Sequence, residues 1–286
     1  LKADQITVSG MSWNQLLDAW QDSERRTACR ERLSVADGVD PDEVILPPAE
    51  AKRRGMTSTV CFPGGNLCPE GSVIKSTSID PSVVDDDDVY RKRGPARVFT
   101  TERAAIAAIK GQSHPPIAAG DVIMLIGRGP LGCGMEETYQ ITSALKYLSF
   151  GKEVALVTDA RFSGVSTGAC IGHVGPEALA GGPIAKVRDG DVIEIEIDRR
   201  SLTGRVDIVD TATGRDDSVT IEDVMALRGA HPDLAVEAEL PEDTRLWAAL
   251  QQVGGGTWGG CVYDVDEIVL TLEAGIKARQ RQDESP

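Results

Sequence analysis

Residues 153–182 read EVALVTDARFSGVSTGACIGHVGPEALAGG, and the pattern of this stretch decides the fold. An apolar run, Val154-Ala155-Leu156-Val157, ends at Asp159. A run this short, followed at once by glycine, hydroxyl and charged residues, predicts a buried strand that opens into a loop. Arg161, Ser163, Gly164, Ser166, Thr167 and Gly168 make up that loop, and His173 and Glu177 follow it. In α/β proteins such loops carry the chemistry, so Ser163 is the first candidate for it.

Working outward, two flanking segments share a pattern: Gly120-Asp121-Val122-Ile123 and Gly190-Asp191-Val192-Ile193. In each, a Gly-Asp turn feeds a β-branched strand, and Leu202 to Val209 follows the second. Thr57 to Phe62, Ser72 to Ser78 and Ala96 to Phe99 read as further short strands. Many short strands separated by Gly and Asp turns predict an α/β barrel-like domain over 57–210, with helices at 138–149 and 176–180 set on it. Thr100 or Thr101 is placed to cap an alanine-rich helix running to Lys110. Before this domain, Trp13, Leu16, Leu17, Trp20 and Leu33 fall at helical spacing over 12–33, and Pro47-Pro48 opens a second short helix, so 1–56 is expected to be a helical linker. After Asp210 the texture turns polar, then helical over roughly 220–228, 242–253 and 265–281, broken by GGGTWGG at 254–260. Residues 211–286 are therefore expected to form a helical extension.

Composition narrows the function classes. The chain has 286 residues, a formal charge of −15, 41% hydrophobic residues and only 4% aromatics. A core of Val, Ile, Leu and Ala suits an α/β protein, and the acidity argues against nucleic acid or an anionic membrane as partner. No apolar run is long enough to span a bilayer. Six dispersed cysteines without a CxxC are expected to be reduced, buried thiols in a cytoplasmic protein. The sequence starts at LKADQ, without Met, as expected for a piece of something longer. Asp85 to Asp88 are adjacent carboxylates without the alternating spacing of a calcium loop, so a solvated turn is expected there.

Three motif readings compete. Gly127-Arg-Gly129-Pro-Leu-Gly132 is a literal GxGxxG after a strand, which would make this a dinucleotide-binding domain. Against it, Glu136 and Glu137 open the expected next helix, where a pyrophosphate needs a bare N-terminus. Gly164-Val-Ser166-Thr-Gly168 is a literal GxSxG, but it follows its strand too late for a nucleophile elbow. The third reading joins Gly134-Met135-Glu136-Glu137 to Ser163: a carboxylate there can bind Mg²⁺, and a serine hydroxyl beside the cation can lose its proton and act as a base.

At these residues the chain resembles the dihydroxy-acid dehydratase / 6-phosphogluconate dehydratase family. The resemblance rests on GNLCPEGSVIK (65–75), GPARVF (94–99), AGDVI (119–123), GMEE (134–137), TDARFSG (158–164) and GHVGPEALAGGPIAKVRDGDVI (172–193). ITSALKYLSFGKEV, PEDTRLWAAL and GGTWGGCVYDVD look most like its sugar-acid branch, in particular xylonate dehydratases. The resemblance implies a swivelling β/α domain that dehydrates a sugar acid, an aldonate such as D-xylonate, to its 2-keto-3-deoxy acid. It implies an iron–sulfur cluster and Mg²⁺ as Lewis acids, with Ser163 as the base and Glu137 as a magnesium ligand, Glu136 standing at the variable position. Cluster ligands and the other magnesium ligands would belong to an N-terminal cluster domain, the chain's partner in a homo-oligomer of two or four copies. Val165 stands where relatives carry Gly or Thr near substrate, so hydroxyl contacts are expected of Ser166 and Thr167. Arg161 is expected to pair with Asp159 rather than with the substrate carboxylate, and His173 to be a structural hydrogen-bonder. A non-catalytic sugar-acid-binding or assembly domain of the same fold is the alternative.

Overall fold

A computed structural model describes residues 3–56, 59–113, 115–164, 166–216 and 218–283. The chain divides into two compact units, Leu1–Thr57 and Ser58–Pro286. The first unit holds four helices, α1 (Trp13–Gln21), α2 (Glu24–Val35), α3 (Pro41–Val44) and α4 (Pro48–Arg53), none with a buried residue. The single amphipathic helix expected over 12–33 is two helices. Ser12 and Ser23 each accept a backbone N–H three residues on, so the second serine starts a new helix where the apolar spacing alone would continue the first.

The second unit is built on β1 (Val60–Cys61), β2 (Gly71–Lys75), β3 (Val89–Phe99), α5 (Glu102–Ile109), β4 (Val122–Leu125), α6 (Pro130–Cys133), β5 (Glu137–Thr138), α7 (Gln140–Leu145), β6 (Ala155–Thr158), β7 (Arg161–Phe162), β8 (Cys170–Gly175), β9 (Val192–Asp198) and β10 (Thr203–Asp210). Eight strands form one mixed sheet in the order β1-β2-β8-β6-β4-β3-β9-β10. The β8-β6-β4-β3 core is parallel and the flanking pairs are antiparallel. The sheet curls until its ends meet. Gly64 bridges Arg205, the Val206 N–H donates to the Gly64 carbonyl at 2.8 Å, and the Asn66 side chain both donates to and accepts from the Ile208 backbone at 2.9 and 2.8 Å. Gly65 is at φ +134°, and a Cβ there would lie 2.3 Å from the Val206 carbonyl oxygen. The GN of the GNLCPEG signature thus closes the barrel.

Burial follows the strand pattern. In β9, Ile193, Ile195 and Ile197 are fully buried inside the barrel while Glu194 and Glu196 face solvent, as period-2 alternation requires. In β4 every residue is buried, because Val122 and Met124 point into the barrel and Ile123 and Leu125 pack outward against α5 and α7. The two Gly-Asp turns obey one rule. Asp121 and Asp191 are buried, each accepts a turn amide (Ala118, Arg188), and each is ion-paired to an arginine (Arg97 at 3.2 Å, Arg228 at 2.5 Å). The α/β, barrel-like architecture expected from the sequence is present, and α8 (Ile221–Leu227), α9 (Glu242–Val253) and α10 (Val265–Asp283) form the C-terminal extension. Details differ from the expectation. β3 runs eleven residues rather than four, the helix expected at 138–149 is six residues long, and that at 176–180 is one 3₁₀ turn, Ala178–Ala180. Thr57 and Ser58, where the first strand was expected to begin, lie outside the described residues.

Candidate functional site

Ser163 lies on the outer flank of the barrel, in the loop between β7 and β8. It is buried, with 9% of its surface exposed, and its carbonyl accepts the Ser166 N–H at 2.9 Å. β7 pairs in parallel with β5, Glu137 opposite Arg161 and Thr138 opposite Phe162, and the Thr138 hydroxyl donates to the Arg161 carbonyl at 3.1 Å. This two-residue ladder pairs the segment of Glu137 with the strand that ends one residue before Ser163, 26 positions from Glu137 in the chain. Glu137 is exposed. Its neighbour Glu136 is occupied, since it pairs with the buried Arg128, which also holds Glu237 at 2.6 Å. Of the two carboxylates, Glu137 is the one in the ladder, opposite Arg161. Neither opens a helix as expected, because α7 begins at Gln140 and β5 takes up Glu137.

Asp159 and Glu177 hold the glycine-rich segment that leads to Glu137. Asp159 is buried and accepts N–H bonds from Gly127 at 3.0 Å, Arg128 at 2.8 Å and Ala178 at 2.9 Å. Burial raises its carboxyl above the usual range, while these amides oppose the rise. Glu177 accepts the Leu131 N–H at 3.1 Å, at the start of the four-residue α6. Burial pushes its carboxyl up to about 7, against the pull of the Leu131 amide and with help from the Asp159 charge. Its carboxylate stands where a GxGxxG turn would hold pyrophosphate, and a Cβ on Gly129 would lie 2.3 Å from it. A dinucleotide has no place there. The expected Arg161–Asp159 pair does not form either. Three amides use the Asp159 carboxylate, and among the described residues no ion pair joins it to Arg161, which is exposed.

Ser166 and Thr167 diverge. Ser166 is 1% exposed and its hydroxyl has no hydrogen-bond partner among the described residues, whereas Thr167 is exposed and lines a cavity of about 490 Å³ with Thr77, Ser78, Thr142 and Lys146. Val165 lies outside the described residues. Lys75 donates to the Gly164 carbonyl and Ser78 to the Gly168 carbonyl at 2.9 Å, pinning both ends of the loop from β2 and the turn after it. No spacing in the sequence could have announced Lys75, 89 positions from its partner. The His173 ring meets Phe162 edge-on at 6.0 Å, and burial, with the nearby Arg161, lowers its pKa below the usual imidazole value. Among the described residues its backbone, rather than its ring, does the hydrogen bonding: its N–H donates to the Ala160 carbonyl at 2.8 Å and its carbonyl accepts the Trp258 indole N–H at 2.9 Å.

The cysteines are free but not uniformly buried, contrary to expectation. Cys61, Cys68 and Cys170 are buried, Cys133 and Cys261 are partly so, and Cys29 is exposed. Burial pushes the Cys61 and Cys68 thiols up to about 11 and that of Cys170 up to about 12, the opposite of what a metal-bound thiolate needs. Among the described residues, no three His, Cys, Asp or Glu side chains group to hold a metal ion, and no helix is long and apolar enough to cross a membrane.

A nearly closed α/β barrel carrying a carboxylate arm and a serine loop on one flank defines the class. The chain belongs to the dihydroxy-acid/6-phosphogluconate dehydratase family, whose C-terminal domain model matches residues 44–237. It is 58% identical over 97% of its length to the D-xylonate dehydratase YagF of Escherichia coli strain K12, and 54% identical over 95% to that strain's D-xylonate dehydratase YjhG. A dihydroxy-acid dehydratase of Leifsonia xyli subsp. xyli is 42% identical over 65% of the chain. The chain spans 42%, 41% and 31% of these relatives' lengths, respectively.

Proposed function

We propose that this chain is the base-bearing C-terminal part of a hydro-lyase that converts a sugar acid, an aldonate such as D-xylonate, to its 2-keto-3-deoxy acid. The observation that carries the reading is the β5–β7 pairing, which sets Glu137 opposite Arg161, two residues before Ser163. The Ser163 alkoxide takes the C2 proton and the C3–O bond breaks. A C2–C3 double bond forms, and the departing C3 hydroxide takes the proton back from the serine hydroxyl to leave as water. This restores the alkoxide, and the enol tautomerises to the ketone. A proton next to a carboxylate is weakly acidic and a serine hydroxyl is a poor base, so both need a cation nearby. Glu137 fits that need, being an exposed hard-oxygen donor not spent on an internal ion pair as Glu136 is. Bound Mg²⁺ would supply positive charge beside the substrate carboxylate and the serine, with Glu137 as this chain's ligand and the other ligands from the rest of the longer protein. Arg161, exposed on the same ladder, would meet the substrate carboxylate, and Thr167, exposed in the serine loop, one of its hydroxyls; Ser166, 1% exposed, would reach another only on movement of that loop.

The cysteines of this chain do not fit an iron–sulfur cluster: Cys61, Cys68 and Cys170 are buried thiols held protonated, and among the described residues no three His, Cys, Asp or Glu side chains group to hold a metal. The cluster would belong to an N-terminal partner domain. Free thiols accord with a cytoplasmic setting, and the proposed assembly is a homo-oligomer. The test is a panel of aldonic acids assayed for 2-keto-3-deoxy product with the full-length protein and its Ser163→Ala variant. Turnover lost in the variant with the cluster absorbance intact supports the reading. Near-normal turnover in Ser163→Ala rejects it, and aldonate binding without turnover by the wild type would mark a sugar-acid-binding or assembly domain instead.

A further inference from the structure

Residues 238–286 lie beyond the family region, which ends at 237. The relatives divide accordingly, since the two D-xylonate dehydratases align with 97% and 95% of the chain and the Leifsonia dihydroxy-acid dehydratase with 65%. Within this stretch α9 ends and GGGTWGG brings Trp258 back against the barrel. The indole sits in a slot floored by two glycines that are partners across the β2–β8 ladder. A Cβ on Gly71 would lie 2.8 Å from the indole, and one on Gly175 only 2.2 Å from it. The indole N–H donates to the His173 carbonyl at 2.9 Å.

His173 is at φ +55°, in the left-handed region that a residue with a Cβ occupies only when its surroundings hold it there. From that bulge its ring packs edge-on against Phe162, and a Cβ on Gly172 would lie 2.5 Å from the same phenyl ring. Phe162 is the residue before Ser163. Trp258, His173, Phe162 and Ser163 therefore form one contiguous line of contacts from the C-terminal extension to the candidate base.

We propose that Trp258 is a positioning residue: the C-terminal extension completes the serine side of the site by fixing the His173 bulge and, through Phe162, the direction of Ser163. This rests on the reading of Ser163 as the base. The test uses the full-length, cofactor-loaded enzyme with Trp258→Phe, which keeps a ring in the slot but loses the N–H. It is paired with Gly175→Ala, which fills the slot at a position whose φ lies outside the left-handed region. Both variants are expected to lower kcat on the aldonate about tenfold, the kinetic worth of one such hydrogen bond, with KM changed less than twofold and cluster absorbance unchanged. The kinetic isotope effect of a C2-deuterated substrate should rise as proton removal becomes the slow step, which a loss of stability alone would not cause. Trp258→Phe and Gly175→Ala enzymes with kcat within twofold of wild type, or with only KM altered, would overturn the proposal. Failure of the underlying reading is seen separately, as a wild type that makes no product or a Ser163→Ala enzyme that still does.

Discussion

Glu177→Gln is the most informative single substitution in the scaffold of the site. The carboxyl is buried against α6, and burial lifts it from an ordinary 4.5 to about 7. The folded protein therefore binds this proton more tightly than the unfolded chain does. The group's stabilising contribution is fully present below about pH 4.5 and is lost as pH rises through about 7. At roughly 1.4 kcal/mol for each pH unit between those two values, the loss over that window is about 3 kcal/mol. Glutamine does not ionise, keeps an oxygen for the Leu131 amide and occupies the same volume, so the variant should escape the loss. Urea unfolding of this chain and its Glu177→Gln variant, followed by circular dichroism from pH 5 to pH 8, measures the difference. The variant should gain about 2–3 kcal/mol on wild type between the two ends. Part of the gain comes from Asp159, whose charge sits beside that of Glu177 and is relieved when glutamine removes it. Two stability curves that stay parallel from pH 5 to pH 8 would refute the assignment of a raised carboxyl at Glu177.

Other consequences can be checked directly. Glu137→Gln in the full-length enzyme should raise the Mg²⁺ concentration for half-maximal activity by about tenfold or more, whereas Glu136→Gln, which only loosens the Arg128 pair, should leave it within about twofold. Asn66→Ala removes both side-chain bonds to the Ile208 backbone at the barrel seam and should cost about 2–3 kcal/mol in urea unfolding, with the protected β9 and β10 amides exchanging faster. Arg228→Ala leaves Asp191 buried without its ion pair and should cost about 3 kcal/mol in urea unfolding at pH 7. The chain on its own, without the partner domain proposed to carry the cluster, should form no measurable keto acid from an aldonate in a discontinuous product assay.

Much of this protein could be read from local pattern. The Val154–Val157 run, the alternating VIEIEID of β9 and the two Gly-Asp turns mark strands because side-chain burial repeats with the geometry of the backbone. Thr101 caps its helix by reaching an N–H three residues away, whereas the equally local cap at Ser23 was masked by apolar spacing that runs on through it. Family motifs pointed to Ser163 and Glu137 because they hold a fixed local sequence. Long-range pairing was not legible. GNLCPEG carries a barrel seam through Asn66, Lys75 pins the serine loop, and Glu177 fills the anion site that the GRGPLG motif spells out. Arg161 lost its expected partner because three amides, brought in from 127, 128 and 178, claimed Asp159 first. The sequence by itself determined which segments are strands, which serine and which carboxylate the family motifs single out, and that the domain is α/β. The tertiary structure alone decided that the carboxylate segment and the strand leading to the serine pair, through a two-residue ladder between β5 and β7, and that Trp258 packs on Gly71 and Gly175 of the β2–β8 ladder. Hydrogen bonds and close packing between distant segments depend on how the barrel closes, and no periodicity along the chain encodes that closure.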